Sequence, residues 1–120
     1  MLEWRSAMNL LIVDDEYLVV EEVVTVTDWE LLGITEIYSA TNAVSAVRIL
    51  NEKKIDIMIC DIEMPQTDGL ELSKKAKENF PDLEIVMLTS HAEFNYVRNA
   101  LRYGCYDYLL KPVMEDDIIK

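Results

Sequence analysis

The amino-acid sequence predicts an α/β fold: one doubly wound, five-stranded parallel sheet covered by helices on both faces. Three observations carry this. Five short runs recur along the chain, centred on Leu11, Tyr38, Met58, Val86 and Tyr108. The inner runs are apolar at consecutive positions, which is how strands buried on both faces read. Amphipathic stretches of helix length lie between them, and parallel strands need crossovers of that kind. With 120 residues, 51% of them hydrophobic, the chain is one domain's worth of globular sequence.

The first run, Asn9-Leu10-Leu11-Ile12-Val13, ends in Asp14-Asp15-Glu16. Residues 16–29 follow, and their Val-rich centre favours a strand by propensity. A crossover is needed here, however, and Val20, Val23, Val24 and Thr27 share one helical face, so the segment is read as helix. A weaker second run, Glu36-Ile37-Tyr38-Ser39-Ala40, precedes a helix over 43–52 with Val44, Val47 and Leu50 on its inner face and Ala46 alongside. The third run, Asp56-Ile57-Met58-Ile59-Cys60, ends in Asp61. A helix over 70–79 then sets Leu72, Ala76 and Phe80 inward and Lys74, Lys75, Lys77 and Glu78 outward, and Pro81 stops it. The fourth run, Glu84-Ile85-Val86-Met87-Leu88, ends in Thr89-Ser90. A helix over 93–103 places Val97, Ala100 and Leu101 inward, with Gly104 as its C′ residue. The fifth run, Tyr106-Asp107-Tyr108-Leu109-Leu110, ends in Lys111-Pro112. A last helix starts near Met114 or Glu115 and is truncated at Lys120, so the chain reads as a domain cut from a longer protein, with residues 1–8 as a short N-terminal extension.

The charge balance narrows the function. Eleven Lys and Arg face 23 Asp and Glu, a net charge of −12. That field repels nucleic-acid phosphates and anionic membrane surfaces, so neither is a direct partner of this chain. Cys60 and Cys105 fall in or beside apolar segments without metal-ligand spacing and read as small buried side chains. No apolar stretch approaches a membrane span, and the start lacks a signal-peptide core, so the chain is expected to be cytoplasmic.

In a doubly wound sheet, ligands bind beyond the carboxyl ends of the strands where the winding reverses. Those ends carry Asp14, Asp15, Asp61, Thr89 and Lys111. Clustered carboxylates either take up protons or hold a cation, and Mg²⁺ suits one or two carboxylates plus oxygens from water and substrate. The competing reading makes Asp14 and Asp15 a solvated helix cap.

Taken together, Leu11-Ile12-Val13-Asp14-Asp15-Glu16, Asp61-Ile62-Glu63-Met64-Pro65-Gln66-Thr67-Asp68-Gly69, Thr89-Ser90 and Lys111-Pro112 resemble the receiver domain of two-component response regulators. The resemblance spans residues 9–120 and implies a flavodoxin-like sheet of strand order 2-1-3-4-5. It implies that Asp61 accepts a phosphoryl group from a sensor histidine kinase. Asp14, Asp15, Asp61 and the backbone carbonyl of Glu63 would hold Mg²⁺. Lys111 would neutralise the phosphoryl charge, Thr89 would hydrogen-bond it, and Tyr108 would swing inward on activation. Lys111-Pro112 is a candidate cis peptide. Glu63 and His91 fall where the phosphoryl lifetime is tuned, while Ser90 and Cys105 replace the usual small residues. Asp28-Trp29-Glu30-Leu31-Leu32-Gly33-Ile34, Phe94, Tyr96, Ala100 and the 104–113 stretch are similar to receivers joined to an AraC-type DNA-binding domain. The implied role is a switch rather than a turnover enzyme. It would promote its own phosphotransfer and dephosphorylation, dimerise on phosphorylation and reach DNA only through an output domain absent from this chain.

Two rivals differ in chemistry. A pseudo-receiver would bind Mg²⁺ without accepting phosphoryl groups, and a small aspartyl phosphatase would turn over aryl phosphates. The complete Asp61, Thr89 and Lys111 set disfavours the first, and the lack of a substrate cap or second general acid disfavours the second.

Overall fold

The computed structural model describes residues 8–62, 64, 69–89 and, as strand backbone, 107–110. The element order is β1 (Met8–Val13), α1 (Tyr17–Thr25), a 3-10 turn (Trp29–Leu32), β2 (Ile34–Ala40), α2 (Ala43–Glu52), β3 (Ile57–Asp61), α3 (Gly69–Asn79), β4 (Glu84–Thr89) and β5 (Asp107–Leu110). All five strands are parallel, in the order β2-β1-β3-β4-β5. The expected fold and strand order are therefore both found. The expected helices over 93–103 and after Met114, and Cys105, lie outside the described residues.

The consecutive apolar positions of the strands serve two cores. Leu11, Val13, Met58, Cys60, Ile85 and Met87 face Ala46 and Leu50 of α2 and Leu72 and Ala76 of α3. Leu10, Ile12, Ile59 and Leu88 face Val20 and Val23 of α1 and Trp29. Alternate side chains leave opposite faces of a strand, so two buried faces require apolar residues at every position.

Three local differences from the sequence reading have physical causes. First, α1 ends at Thr25 rather than near Trp29. The Thr25 hydroxyl donates back to the Glu21 carbonyl at 2.9 Å, and the Trp29 indole N–H donates to the Val23 carbonyl at 3.0 Å. Trp29 thus satisfies an end-of-helix acceptor from outside the helix, and the helix stops where that ring packs. Gly33 then turns the chain into β2 with φ 92°, the left-handed region that suits glycine. Second, α2 presents Ala46 and Leu50 to the core, while Val44 and Val47 are 79% and 44% exposed. The small alanine lets the helix approach the sheet closely, so size mattered more than apolarity. Third, β1 begins at Met8 and β2 at Ile34, and these two residues pair. Met8 therefore belongs to the sheet and not to the extension.

The lower edge of the sheet is pinned by side chains. The Asn9 backbone N–H donates to Asp56 Oδ2 at 2.8 Å, and the Asn9 side-chain amide donates to the Lys54 carbonyl at 2.8 Å. At the opposite edge α2 starts on Asn42, whose side-chain oxygen accepts from the Ser45 N–H at 2.8 Å. The α3 carboxyl end is held by Lys77, which donates to the Leu83 carbonyl at 2.6 Å. Among the described residues, no helix is long and apolar enough to cross a membrane.

Candidate functional site

Strand register places the site. Val13 pairs with Cys60 across β1 and β3, so Asp14 and Asp61, each one residue further on, leave the two central strands at the same level. The chain winds outward to β2 on one side of β1 and to β4 and β5 on the other. The gap between β1 and β3 is the point where winding reverses, and a crevice opens above such a point.

Asp14 is fully buried. Its N–H donates to the Ala40 carbonyl at 3.1 Å, and its Oδ1 accepts the Glu16 N–H at 2.9 Å. This bond to the residue two positions on turns the chain from β1 into α1. The solvated helix-cap reading of Asp14 does not hold: Glu16 is the N-cap residue and has no side-chain cap bond, while Asp14 is buried and uses one oxygen to shape the turn before the helix. Asp15 and Glu16 are exposed beside it. One carboxylate oxygen from each of Asp14, Asp15 and Glu16 can lie within 4.8 Å of the others. Asp61 closes β3 at 2% exposure and Thr89 closes β4 fully buried. The Asp61 carboxylate does not join the three-acid set, although its strand adjoins β1.

Three close carboxylates are hard oxygen donors carrying excess negative charge. They fit a small divalent cation such as Mg²⁺, with water and substrate oxygens completing its octahedron. Softer metals would want sulfur or imidazole, and the one described cysteine, Cys60, is buried below the site.

Ile62, next to Asp61, is tied to β4 and to the start of α3. The Ile62 N–H donates to the Leu88 carbonyl, and the Ile62 carbonyl accepts the Gly69 N–H, both at 2.9 Å. The intervening Met64 packs against the α2–α3 core. Glu63, His91 and Lys111 lie outside the described residues, as does the Lys111-Pro112 peptide. For Tyr108 the strand backbone is described and the side chain is not.

Sequence reasoning missed the place of Glu16 among the clustered acids and the backbone contact of Gly69. Glu16 belongs to the three-acid set, and its adjacency to Asp14-Asp15 was the available signal. Gly69 sits directly against the Asp61 peptide. Gly69 closes the motif that begins at Asp61, but its close contact with the Asp61 peptide is tertiary and has no mark in the sequence.

The profile of the response regulator receiver domain matches residues 10–120. Over 111 residues the chain is 37% identical to the uncharacterized transcriptional regulatory protein YesN of Bacillus subtilis, covering 92% of this chain and 30% of that protein. It is 32% identical over 117 residues to the transcriptional regulatory protein YhcZ of the same organism, covering 94% and 52%. The chain thus spans a third to a half of these relatives' length. Among solved structures it is similar to the REC domain of AraT, a response regulator from Geobacillus stearothermophilus. That similarity has a TM-score of 0.85 and 30% identity, covering 93% of this chain and 87% of the other. A five-stranded 2-1-3-4-5 sheet with acids above its switch point, and a family match over nearly the whole chain, lead to one conclusion: this chain belongs to the response regulator receiver domains, the phosphoacceptor switches of two-component systems.

Proposed function

We propose that Asp61 is the phosphoacceptor and that Asp14, Asp15 and Asp61 hold Mg²⁺ beside it, with the Glu63 carbonyl as a further ligand. One observation supports this most: β1 and β3 pair so that Asp14 and Asp61 emerge side by side at the switch point. The donor is a phosphohistidine of a sensor histidine kinase, or a small acyl phosphate.

In the transfer, an Asp61 oxygen attacks phosphorus in line with the bond that breaks. The P–O bond forms, the P–N bond of the phosphohistidine breaks, and the imidazole leaves as the neutral base after gaining a proton. Bound Mg²⁺ supplies charge neutralisation at the phosphoryl oxygens. Catalysis of this kind is mostly positioning plus electrostatics, which suits carboxylates on two rigid, paired strands. Asp14 acts from a fully buried position fixed by its bond to the Glu16 N–H. Lys111 follows Leu110 in sequence, and Leu110 pairs with Thr89. That register suits Thr89 and Lys111 as the pair that grips the phosphoryl oxygens.

A phosphoryl group on Asp61 adds charge and strong acceptors. Drawing Thr89 toward it shifts the end of β4, and Tyr108 on the neighbouring β5 relays the change. Residues 1–120 form the receiver of a longer transcriptional regulator. Its output runs through dimerisation and an AraC-type DNA-binding domain, and the names of the two Bacillus relatives support transcription regulation as the end effect.

The test is intact mass after incubation with acetyl phosphate, with and without Mg²⁺, on wild type and Asp61→Ala. One added phosphoryl group that requires both Mg²⁺ and Asp61 is the expected result. A folded, Mg²⁺-binding domain that gains no mass from either acetyl phosphate or a kinase donor defeats the proposal.

A further inference from the structure

Gly69 opens α3 and is buried. A Cβ built on it would overlap the carbonyl oxygen of Asp61, and it would come within 2.8 Å of that carbonyl carbon and 2.9 Å of the Ile62 Cα. These are backbone atoms of β3 and its exit, which cannot swing aside as a flexible side chain would. The need is for space and not for an unusual backbone angle, since the only positive-φ glycine among the described residues is Gly33. The same close approach is tied from two sides. The Gly69 N–H donates to the Ile62 carbonyl at 2.9 Å. The buried Cys60 thiol reaches the carbonyls of Asp61 at 3.5 Å and Gly69 at 4.0 Å.

We infer that Gly69 is a positioning residue for phosphoryl transfer: its bare backbone lets the first turn of α3 seat on the Asp61 peptide and fix the origin of the Asp61 side chain, with the Cys60 thiol bridging the two carbonyls. The inference rests on Asp61 being the phosphoacceptor. Asp61 has its backbone in β3, and its side chain has few bonds in which to absorb a shift. An added methyl at position 69 must push the Asp61 peptide or the helix away until the overlap is relieved. Misplacing a reacting group by about 1 Å costs on the order of 100-fold in rate. The cysteine is a weak donor, so its share is smaller than that of Gly69.

The experiment measures the initial rate of acetyl phosphate-dependent mass gain at saturating Mg²⁺, at a temperature where circular dichroism shows each protein folded. Gly69→Ala is compared with wild type and with Ala76→Gly, which weakens the same helix without touching Asp61. The expected result is a loss of at least about tenfold for Gly69→Ala and a wild-type rate for folded Ala76→Gly. Cys60→Ala loses several-fold, less than Gly69→Ala, while folded Ala76→Gly does not move, an order that packing loss alone does not produce. A wild-type rate for Gly69→Ala, or a loss no larger than that of Ala76→Gly, overturns the inference. If Gly69→Ala does not fold, a wild-type rate for Cys60→Ala overturns it instead. Labelling of wild type at Asp61 separates these outcomes from failure of the phosphoacceptor reading, which would show as no mass gain in any protein.

Discussion

Replacing Asp15 by Asn should stabilise the metal-free domain and destabilise the Mg²⁺-loaded one. Asp15 is exposed, so the change removes charge and leaves the packing alone. Its carboxylate can lie within 4.8 Å of those of Asp14 and Glu16. Each pair at that distance repels by about 0.9 kcal/mol at the dielectric of water. Two pairs give about 1.7 kcal/mol, and physiological salt with a Debye length of about 8 Å cuts this to roughly 1 kcal/mol. In EDTA the variant should therefore melt about 4 °C above wild type. At about 100 times the wild-type Kd, Mg²⁺ adds about 2.7 kcal/mol to wild type. A variant bound about 100-fold more weakly gains only about 0.4 kcal/mol at the same concentration. The balance then reverses, and wild type becomes the more stable by about 1.3 kcal/mol. Thermal melts across a Mg²⁺ titration should show the two curves crossing. If Asp15→Asn melts below wild type in EDTA, or gains as much from Mg²⁺ as wild type does, the reasoning about this cluster is wrong.

Further outcomes are expected elsewhere. Trp29→Phe keeps the buried ring but leaves the Val23 carbonyl without its indole donor, and urea titration should show a loss of about 1–3 kcal/mol. Leu50→Ala should cost about 2–5 kcal/mol, whereas Val44→Lys should stay within about 0.5 kcal/mol, because Leu50 is buried and Val44 is 79% exposed. The hydrogen bond and charge of Glu21 raise the Tyr17 pKa above its ordinary 10.0. Glu21→Gln should bring it down, so phenolate absorbance should develop at lower pH than in wild type.

The parts of the fold written in local pattern were legible. Leu10 to Val13 and Met58 to Cys60 are apolar at every position because both faces of β1 and β3 are covered. The Val-rich centre of α1 was read correctly only because a parallel sheet demands a crossover there. Its end was misplaced because the residue that stops it, Trp29, acts through a tertiary hydrogen bond. On α2, periodicity placed Leu50 inward correctly but set Val44 and Val47 beside it, where the structure buries Ala46 instead. That choice depends on how closely the helix approaches the sheet. Ser73 is fully buried with its hydroxyl 3.2 Å from the Met87 sulfur, a contact with the sheet that the helical pattern does not mark. At the site, the strand-end positions of Asp14, Asp15, Asp61 and Thr89 were visible from the runs they follow. Gly69 was visible as the end of the motif that starts at Asp61, but its contact with the Asp61 peptide was not, because that contact is tertiary.

The Asn9–Asp56 clamp links positions 47 apart in the chain. It joins the first strand to the third, so it can form only after α1, β2 and α2 have been made. The carboxylates of β1 and β3 share that dependence, since the same strand pairing brings them together. Contacts between distant segments carry the loop-closure cost that slows folding. During synthesis the acidic half held by β1 therefore waits, uncovered, for its counterpart on β3. The acids at the ends of β1 and β3 come together only when the central pair of strands closes.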